Sequence, residues 1–418
     1  MAIGKGLGKG YLSEEKAKKL SSEALSGIEC ANKKVLVIIP DHTRTAPVSL
    51  FFKIITEQLG AKVKKLDYLV ALGTHPPMEE EKILKLVGIS QKERKEKYSW
   101  INFFNHKWDD PNSLTTIGTI PENKIEEISN GLLKENVEVQ VNKMILNYDY
   151  IIIVGPVFPH EVVGFSGGNK YFFPGIAGPE VLHFFHWLGA LITNPKINGT
   201  KDTPVRKVID IASSFIKKPK LCFCLVIKDK KLSGLFIGQP EEAWTEAADL
   251  SKKLNIVYKD KTFKKVLGVA PKMYDDLWTA GKVMYKLENI VENSGELIIY
   301  APHITEVSYT HGELLDEIGY HVRDYFLKQP GRFSRIPGGI KAHSTHVKGI
   351  GTYEKGTEKP RINVTLATGI PKERCEKINL GYKDYKSINL LDWKNKEDEG
   401  ILLVPDAGET LYRLKQRK

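Results

Sequence analysis

The chain has few cysteines and no long apolar run. Its four cysteines form no Cys-x-x-Cys pair, so no disulfide framework is implied, as is typical of a protein in a reducing cytoplasm. The basic stretch at 1–20 lacks an apolar segment, so we expect no signal peptide. No apolar run is long enough to span a membrane. We therefore expect a soluble, cytoplasmic protein without a membrane partner.

The chain also lacks the patterns of nucleic-acid-binding modules. Its net charge of +11 is spread over dispersed lysine-rich stretches, which are typical of a solvated surface. No basic patch is interleaved with aromatic residues, so we expect no nucleic-acid partner. The positive field would instead attract an anionic small molecule. The hydrophobic fraction of 41% and the charged fraction of 27% are ordinary globular values, which excludes disordered and collagen-like classes.

Short apolar runs alternate with amphipathic helical patterns along the chain. The first series comprises VLVII at 35–39, LDYLVAL at 66–72, YIIIV at 150–154 and CFCLVI at 222–227. A second series begins near residue 266 with VLGVAP and continues with LIIYAP at 297–302, INVTLATGI at 362–370 and ILLVPDAG at 401–408. Strands that alternate with helices predict the α/β class with mostly parallel sheets.

The two series predict two α/β domains, each with a mostly parallel sheet, since 418 residues are too many for one ordinary core. The N-terminal domain would span 1–265 and the smaller C-terminal domain 266–407, with the lysine-rich stretch 258–265 as the linker. The tail at 408–418 would be free to pack back on the first domain. Ligands often bind between domains, so we expect the active site in the interdomain cleft.

Polar residues follow three of the apolar runs, at the point where each predicted strand ends. These segments are Asp41–Arg44, Gly73–His75 and Pro159–His160. Parallel sheets bind ligands at the carboxyl ends of their strands, so His75 and His160 are candidate acid–base residues. Arg44 suits a carboxylate or a phosphate, and Asp41 suits the orientation of a histidine. The alternatives are turn capping by the histidines and a surface ion pair between Asp41 and Arg44.

The segment from His160 to His186 is rich in coordinating side chains and poor in other charge. Its GFSGGNK stretch at 164–170 is not a Walker A loop, because no Ser or Thr follows the lysine. The paired glycines still allow an anion to approach the backbone closely, and the alternative is a plain tight turn. Lys170 stands among aromatic residues, as either a desolvated nucleophilic amine or a snorkelling surface lysine.

Two His-x-x-His pairs occur in the chain. His183 and His186 share one face of a predicted helix and are either metal ligands or core histidines. His343 and His346 repeat this spacing in a segment with the pattern of a polar loop. A lone pair of this kind is weak support for a metal site.

Taken together, these residues resemble the nickel-pincer lactate racemase family of 2-hydroxyacid racemases and epimerases, over nearly the whole chain. The resemblance rests on D-x-T-R at Asp41–Arg44, GTH at Gly73–His75, PHxxxGxSGGxK at Pro159–Lys170, the later His186, and ERCExxNLGYxD at Glu373–Asp384. The order and spacing of this set are far more specific than any one motif.

The resemblance implies a cofactor. The family carries nickel in a pyridinium-3,5-bisthiocarboxylic acid mononucleotide, the nickel-pincer nucleotide, which is attached covalently to a lysine. By position in the motifs, Lys170 matches the attachment lysine, and Ser166, Gly167 and Gly168 match the turn against the cofactor. His186 matches the nickel ligand. Cofactor-assembly enzymes are implied as partners, and a recombinant host without them would yield the apo protein.

The resemblance also implies catalytic roles. His75 and His160 match two catalytic bases, and Arg44 matches an arginine near the substrate and cofactor, with Asp41 as its acidic neighbour. Lys282 matches a substrate-binding lysine. One histidine takes the hydroxyl proton while the Cα hydride passes to the pyridinium ring. The hydride then returns to the other face of a transient 2-keto acid, and the second histidine serves the opposite enantiomer. His183 matches no role and is interpreted as a core histidine.

Two departures from the family bear on the substrate. Thr45 stands where the family often has proline, and Trp278 and Thr279 stand where the lactate enzymes have a tyrosine–glutamine pair. We interpret both residues of the second pair as substrate-binding. The loss of a long amide side chain predicts a substrate other than lactate. A larger or more polar 2-hydroxyacid, such as an aldonic or dicarboxylic acid, or a related sugar, is expected.

Two other functions compete with an isomerase. A zinc-dependent hydrolase would use His75, His160 and His186 as ligands, but it leaves Lys170 without a role, and Glu161 is the only adjacent carboxylate. A non-catalytic anion- or nucleotide-binding protein would use the Ser-Gly-Gly turn and the positive field.

Overall fold

The computed structural model describes residues 2–415, which form two compact units. The first unit comprises the chain up to Phe158 together with Phe165–Leu182 and Arg206–Leu254. The second comprises Pro159–Gly164, His183–Val205 and the chain from Asn255 onward. The units do not coincide with the ranges 1–265 and 266–407, because two segments from the middle of the chain belong to the second unit.

The first unit is built on a seven-stranded sheet within the described residues. In spatial order its strands are Ile3–Gly6, Lys231–Gly238, Lys220–Lys228, Tyr150–Pro156, Lys34–Pro40, Lys65–Ala71 and Phe103–Asn105. The last five are parallel to one another, and the first two join by antiparallel pairing. The central strands are buried on both faces, which explains why runs such as Val35–Ile39 are apolar throughout.

Three helices of the first unit pack their apolar faces into the same core as this sheet: Glu14–Ser26, Val48–Leu59 and Glu80–Val87. The unit's other helices are Gln91–Glu96, Glu122–Ser129, Pro204–Ser214 and Pro240–Asn255, the last two reaching the unit's boundary. The strands Leu114–Ile120 and Val137–Asn142 form a separate antiparallel pair. Ser90 and Glu93 form a capping box at the start of Gln91–Glu96, which explains where that helix begins.

The second unit is built on a five-stranded, wholly parallel sheet within the described residues. Its spatial order is Gly381–Tyr382, Asn363–Thr368, Val291–Ala301, Phe263–Val269 and Ile401–Val404. Its helices are Asn194–Ile197, Leu277–Ala280, Lys282–Leu287, Gly312–Ile318, Arg323–Leu327, Gly338–Lys348 and Lys372–Lys377. The helix Pro179–Ile192 is divided between the two units. The α/β class and the mostly parallel sheets predicted from the sequence are thus confirmed.

Two local expectations, on the linker and on the second histidine pair, meet a different outcome. The stretch 258–265 is not a linker, since it lies largely in the strands Ile256–Lys259 and Phe263–Val269. In the tail, Leu411–Leu414 pairs in parallel with Ile256–Lys259, a strand that lies within the predicted range 1–265 and belongs to the second unit. Residues 416–418 lie outside the described residues. His343 and His346 are on the buried helix Gly338–Lys348 rather than in a polar loop. Among the described residues, no helix has the length and apolar character needed to cross a membrane.

Candidate active site

His75 and Asp41 meet at the ends of two neighbouring parallel strands of the first unit. The strands Lys34–Pro40 and Lys65–Ala71 are in register at their last residues, so the loops that follow them emerge side by side. Nδ1 of His75 lies 2.6 Å from Oδ2 of Asp41. Gly73 starts the His75 loop in the left-handed region, at φ +57°. Two of the three strand-end groups are therefore brought together.

The Asp41 carboxylate is buried and held as an anion. Burial alone would raise its pKa, but His75, Arg44 and Thr43 hold the pKa of Asp41 well below its usual value. Thr43 donates to Oδ1 through its amide, at 2.9 Å, and through its hydroxyl, at 2.6 Å. Arg44 in turn donates to the Thr43 hydroxyl at 2.8 Å. A buried network of this kind does not fit the alternative of a surface ion pair between Asp41 and Arg44.

This geometry makes His75 suited to act as a general base. The Asp41 carboxylate accepts a hydrogen bond from the N–H at Nδ1, so the neutral ring has its lone pair on Nε2. The carboxylate also stabilises the imidazolium that forms when Nε2 takes a proton.

The loop Ser166–Lys170 lies in the first unit and turns on two glycines. Gly167 and Gly168 have φ values of +83° and +61°. A Cβ on Gly167 would lie 2.5 Å from Cγ2 of Val157, and one on Gly168 would lie 3.0 Å from Cβ of Trp244. Only glycine fits both positions, so the predicted turn is present and its backbone is bare. Lys170 follows it, half-buried, in the short helix Gly168–Tyr171.

The Ser166 side chain serves the backbone of the loop. Its hydroxyl donates to the carbonyl of Pro156 and accepts from the amide of Phe158, both at 2.9 Å. Its own carbonyl accepts from Nε1 of Trp244 at 2.8 Å. Ser166 therefore connects the loop to the end of strand Tyr150–Pro156.

Arg206 and Asn169 fix the loop through contacts that sequence reasoning missed. The buried guanidinium of Arg206 donates to the carbonyls of Phe165 and Gly167 and lies 4.0 Å from the centre of the Trp244 ring. Asn169 donates to Asp210 at 3.0 Å and to Glu241 at 2.7 Å, and it accepts from Ser213 at 2.8 Å. No sequence signal marked Arg206, since its helix has an ordinary amphipathic pattern.

His160 lies in the second unit, where its two ring nitrogens have different neighbours. The amide of Val162 donates to Nδ1 at 3.2 Å, and Nε2 lies 3.6 Å from Oε1 of Glu161. The buried amine of Lys286 donates to the carbonyl of Pro159. The backbone at His160 is therefore anchored by a lysine that the sequence analysis did not single out.

His186 and His183 lie on the helix Pro179–Ile192, in its part that belongs to the second unit. His186 is half-buried. Burial, with a smaller effect of His186, lowers the pKa of His183 to about 4. A Cβ on Gly339 would lie 2.8 Å from Nδ1 of His183, so this ring packs closely against the first turn of the helix Gly338–Lys348, where the residue is glycine. Such packing agrees with the interpretation of His183 as a core histidine.

Trp278 lies between two histidine rings of the second unit. Its ring centre is 4.2 Å from that of His343 and 4.7 Å from that of His311. His343 is itself held by hydroxyls of two tyrosines, Tyr285 on Nδ1 at 2.9 Å and Tyr320 on Nε2 at 3.1 Å. The indole of Trp278 is therefore fixed in place by aromatic neighbours.

Thr279 and Lys282 make different kinds of contact: Thr279 is hydrogen-bonded, and Lys282 lies beside an aromatic ring. The Thr279 hydroxyl is buried and donates within the cap of helix Leu277–Ala280, to the carbonyl and Oδ1 of Asp276 at 3.0 Å each. The half-buried Lys282 places its amine 4.7 Å from the centre of the Tyr274 ring. The predicted substrate contacts are thus a rigid aromatic ring, a capping hydroxyl and a cation.

The described residues contain no group of three or more His, Cys, Asp or Glu side chains arranged to hold a metal ion. This gives no support to the alternative of a three-histidine zinc site.

Comparisons with known proteins agree with the resemblance. The lactate racemase N-terminal domain family matches residues 15–198. The chain is 26% identical over 242 residues to the lactate racemase of Lactiplantibacillus plantarum, and 25% identical over 245 residues to that of Thermoanaerobacterium thermosaccharolyticum. Each match covers 57% of this chain, and the chain spans about half, 52%, of the length of these curated relatives.

Solved structures extend the likeness to nearly the whole chain. A protein from Thermotoga maritima, solved by the Northeast Structural Genomics Consortium, has a TM-score of 0.89 at 34% identity, covering 97% of this chain and 99% of that one. The lactate racemase apoprotein from Thermoanaerobacterium thermosaccharolyticum has a TM-score of 0.71 at 19% identity, covering 96% and 93%, and shows the same fold. Residues 15–198 thus carry a lactate racemase N-terminal domain, and the chain is similar to lactate racemases beyond that domain.

Proposed function

We propose that the protein is a racemase or epimerase that inverts the hydroxyl-bearing C2 carbon of a 2-hydroxyacid. The observation that carries this proposal is the Asp41–His75 pair, 2.6 Å apart at the carboxyl ends of two parallel strands. It supplies a base for the substrate hydroxyl. The name lactate racemase on the two curated relatives supports the same reaction class.

The residues present fit the nickel-pincer nucleotide. The bare glycine backbone at Gly167 and Gly168 leaves no Cβ to obstruct close approach, and Lys170 offers an amine directly after it. His186 offers an imidazole, a ligand type that suits nickel. Lys170 would therefore hold the group covalently and His186 would hold its metal. When bound, this group supplies the electron sink for a hydride.

The chain's own residues would bind the substrate and move its proton. Nε2 of His75 takes the hydroxyl proton, and Asp41 stabilises the resulting imidazolium. Arg44 and Lys282 provide cations for a carboxylate. Inversion requires a base for each enantiomer, and His160 is the second histidine available at the end of a predicted strand segment. Each proton taken is returned to the C2 oxygen when the carbonyl is reduced.

The substrate would be larger or more polar than lactate. Trp278 is fixed by two flanking histidine rings, and the hydroxyl of Thr279 is engaged by Asp276. Neither residue replaces a long amide donor. Aldonic acids, dicarboxylic hydroxyacids and related sugars are the classes to screen, by exchange of the Cα hydrogen. Robust activity on lactate alone, with none on longer acids, would contradict this substrate class.

Covalent attachment at Lys170 gives the most direct test. Coexpression with the cofactor-assembly enzymes should yield a mass adduct on the intact protein, and Lys170→Ala should lose it while remaining folded by circular dichroism. Lys201→Ala, a half-buried lysine outside the loop, is the matched control and should keep the adduct. An unmodified protein with stoichiometric zinc would instead support a hydrolase. Neither adduct nor metal would support an anion-binding protein.

A further inference from the structure

Glu161 is a buried carboxylate for which the proposed function has no role. It directly follows His160, is 8% exposed, and places Oε1 3.6 Å from Nε2 of that ring. Burial by itself raises the pKa of a carboxyl group. Lys286, the Glu161 amide, His346 and Lys282 nevertheless bring the pKa of Glu161 below its usual value. The carboxylate is therefore an anion at neutral pH.

Two lysines on one short helix contribute positive charge that lowers the pKa of this carboxyl group. Lys282 and Lys286 are one turn apart on Lys282–Leu287, so they lie on the same face of the helix. Lys286 is 2% exposed and also donates to the carbonyl of Pro159. It thus anchors the backbone immediately before His160, and its positive charge stabilises the anion of Glu161, the residue immediately after that histidine.

One hydrogen bond of the His160 ring indicates its tautomer. The Val162 amide donates to Nδ1, so Nδ1 is an acceptor and the neutral ring has its proton on Nε2, the nitrogen nearer Glu161. His75 has the opposite arrangement, because Nδ1 donates to Asp41 and the lone pair is on Nε2. Each histidine has a carboxylate partner, but the two carboxylates face different ring nitrogens.

We propose that Glu161 is the positioning residue of His160, with Lys286 anchoring the backbone before that histidine, and that the two bases rest in opposite tautomers. This deepens the proposed function and rests on it. His75 can take a hydroxyl proton on Nε2 as it stands. His160 takes one on Nδ1, after that nitrogen leaves the Val162 amide. The imidazolium then keeps its Nε2 proton toward Glu161, and the Nδ1 proton is returned to the C2 oxygen.

The tautomers can be measured on the apo protein, without cofactor or substrate. In protein labelled with nitrogen-15 histidine, the parent should show the unprotonated ring nitrogen of His75 at Nε2 and that of His160 at Nδ1. His75→Asn and His160→Asn assign the two sets of signals. The same tautomer in both rings would overturn the proposal, whatever reaction the loaded enzyme performs.

Substitution of Glu161 tests the role of its charge. In Glu161→Gln the NMR titration midpoint of His160 should fall by about one pH unit, since its imidazolium loses a nearby anion. The titration midpoint of His75 should stay unchanged. Glu354 is an exposed glutamate of the same unit as Glu161, and Glu354→Gln is the control that should change neither midpoint. Lys286→Met provides a second variant, with Lys286→Arg as its conservative rescue. An unchanged His160 midpoint in folded Glu161→Gln would overturn the role of Glu161.

The loaded enzyme adds a directional readout. In single-turnover experiments, Glu161→Gln should slow the first step for one enantiomer roughly tenfold more than for the other, which a loss of general stability would not do. Equal slowing of both enantiomers would contradict the pairing of Glu161 with His160. Absence of any racemisation by the loaded parent would instead contradict the proposed function and leave the NMR result standing on its own.

Discussion

At the scale of single residues, the chemistry of the site depends on which atoms face one another. The sequence showed that Asp41 and His75 both follow apolar runs. It did not show that Oδ2 lies 2.6 Å from Nδ1, which fixes the lone pair of His75 on Nε2. Nor did it show that the Thr279 hydroxyl caps its own helix. Residue types were readable from the motifs, whereas hydrogen-bond partners depended on folding.

Asp41→Asn should separate catalysis from stability. Loss of the oriented tautomer should lower kcat of the loaded enzyme roughly 10²- to 10⁴-fold. A carboxyl whose pKa is lowered in the folded state stabilises the fold above its ordinary pKa of about 4, and this contribution is lost as pH falls through the lowered pKa. The variant should therefore be less stable than the parent by about 1–3 kcal/mol near pH 7.

The stability difference between the two proteins should narrow as the pH falls below about 4. Denaturant unfolding of apo parent and Asp41→Asn from pH 7 downward measures this. A difference that stays constant or widens on acidification would mean that Asp41 is not the anion described. The experiment needs no cofactor, so it tests the site independently of the reaction.

At the scale of elements, the loop Ser166–Lys170 is rigid because two helices fix its backbone. Arg206, at the start of Pro204–Ser214, donates to the carbonyl of Gly167 in the loop and to that of Phe165 just before it, and Trp244, on Pro240–Asn255, donates to the carbonyl of Ser166. These helices follow the loop by tens of residues. The loop sequence alone predicted a turn, but not that its carbonyls are satisfied from outside.

Arg206→Met should destabilise the protein and loosen the loop. Two buried carbonyls would lose a charged donor, at a cost of about 2–4 kcal/mol. Hydrogen exchange of the amides at 166–171 should become faster than that of the sheet core. Lys207→Met, the exposed neighbour on the same helix, is the control and should change stability by less than about 0.5 kcal/mol. Equal losses of stability in the two variants would contradict the role of Arg206 in fixing the loop.

At the scale of the whole molecule, each of the two units is built from three separate segments of the chain. Residues 183–205 belong to the second unit, where Asn194 donates to Glu288 at 2.8 Å and to the carbonyl of Tyr285 at 3.1 Å. The rhythm of strands and helices predicted two α/β bodies. The same rhythm could not assign the helix Pro179–Ile192 to either unit. This helix is apolar nearly all round, and its residues are divided between the two units.

A fragment cut at the predicted boundary should fold poorly. Residues 1–265 would retain 159–164 and 183–205 without the sheet of the second unit, leaving buried groups such as Val163, Leu188 and Ile197 exposed. We expect ANS binding and a broad unfolding transition, measured against the full chain. Cooperative unfolding of the fragment at the temperature of the full chain would contradict this division of the molecule.

The sequence by itself determined the fold class, the family resemblance and the candidate residues, because buried parallel strands need apolar runs and a covalent or ligating role needs a particular side chain. Tertiary structure alone decided the buried partners. Oε1 of Glu161 lies 3.6 Å from Nε2 of His160, and Lys286 donates to the carbonyl of Pro159 from a helix more than a hundred residues later. Groups that meet across such a separation along the chain leave no periodic pattern in the sequence, so only the folded chain shows which neighbours each ring nitrogen has.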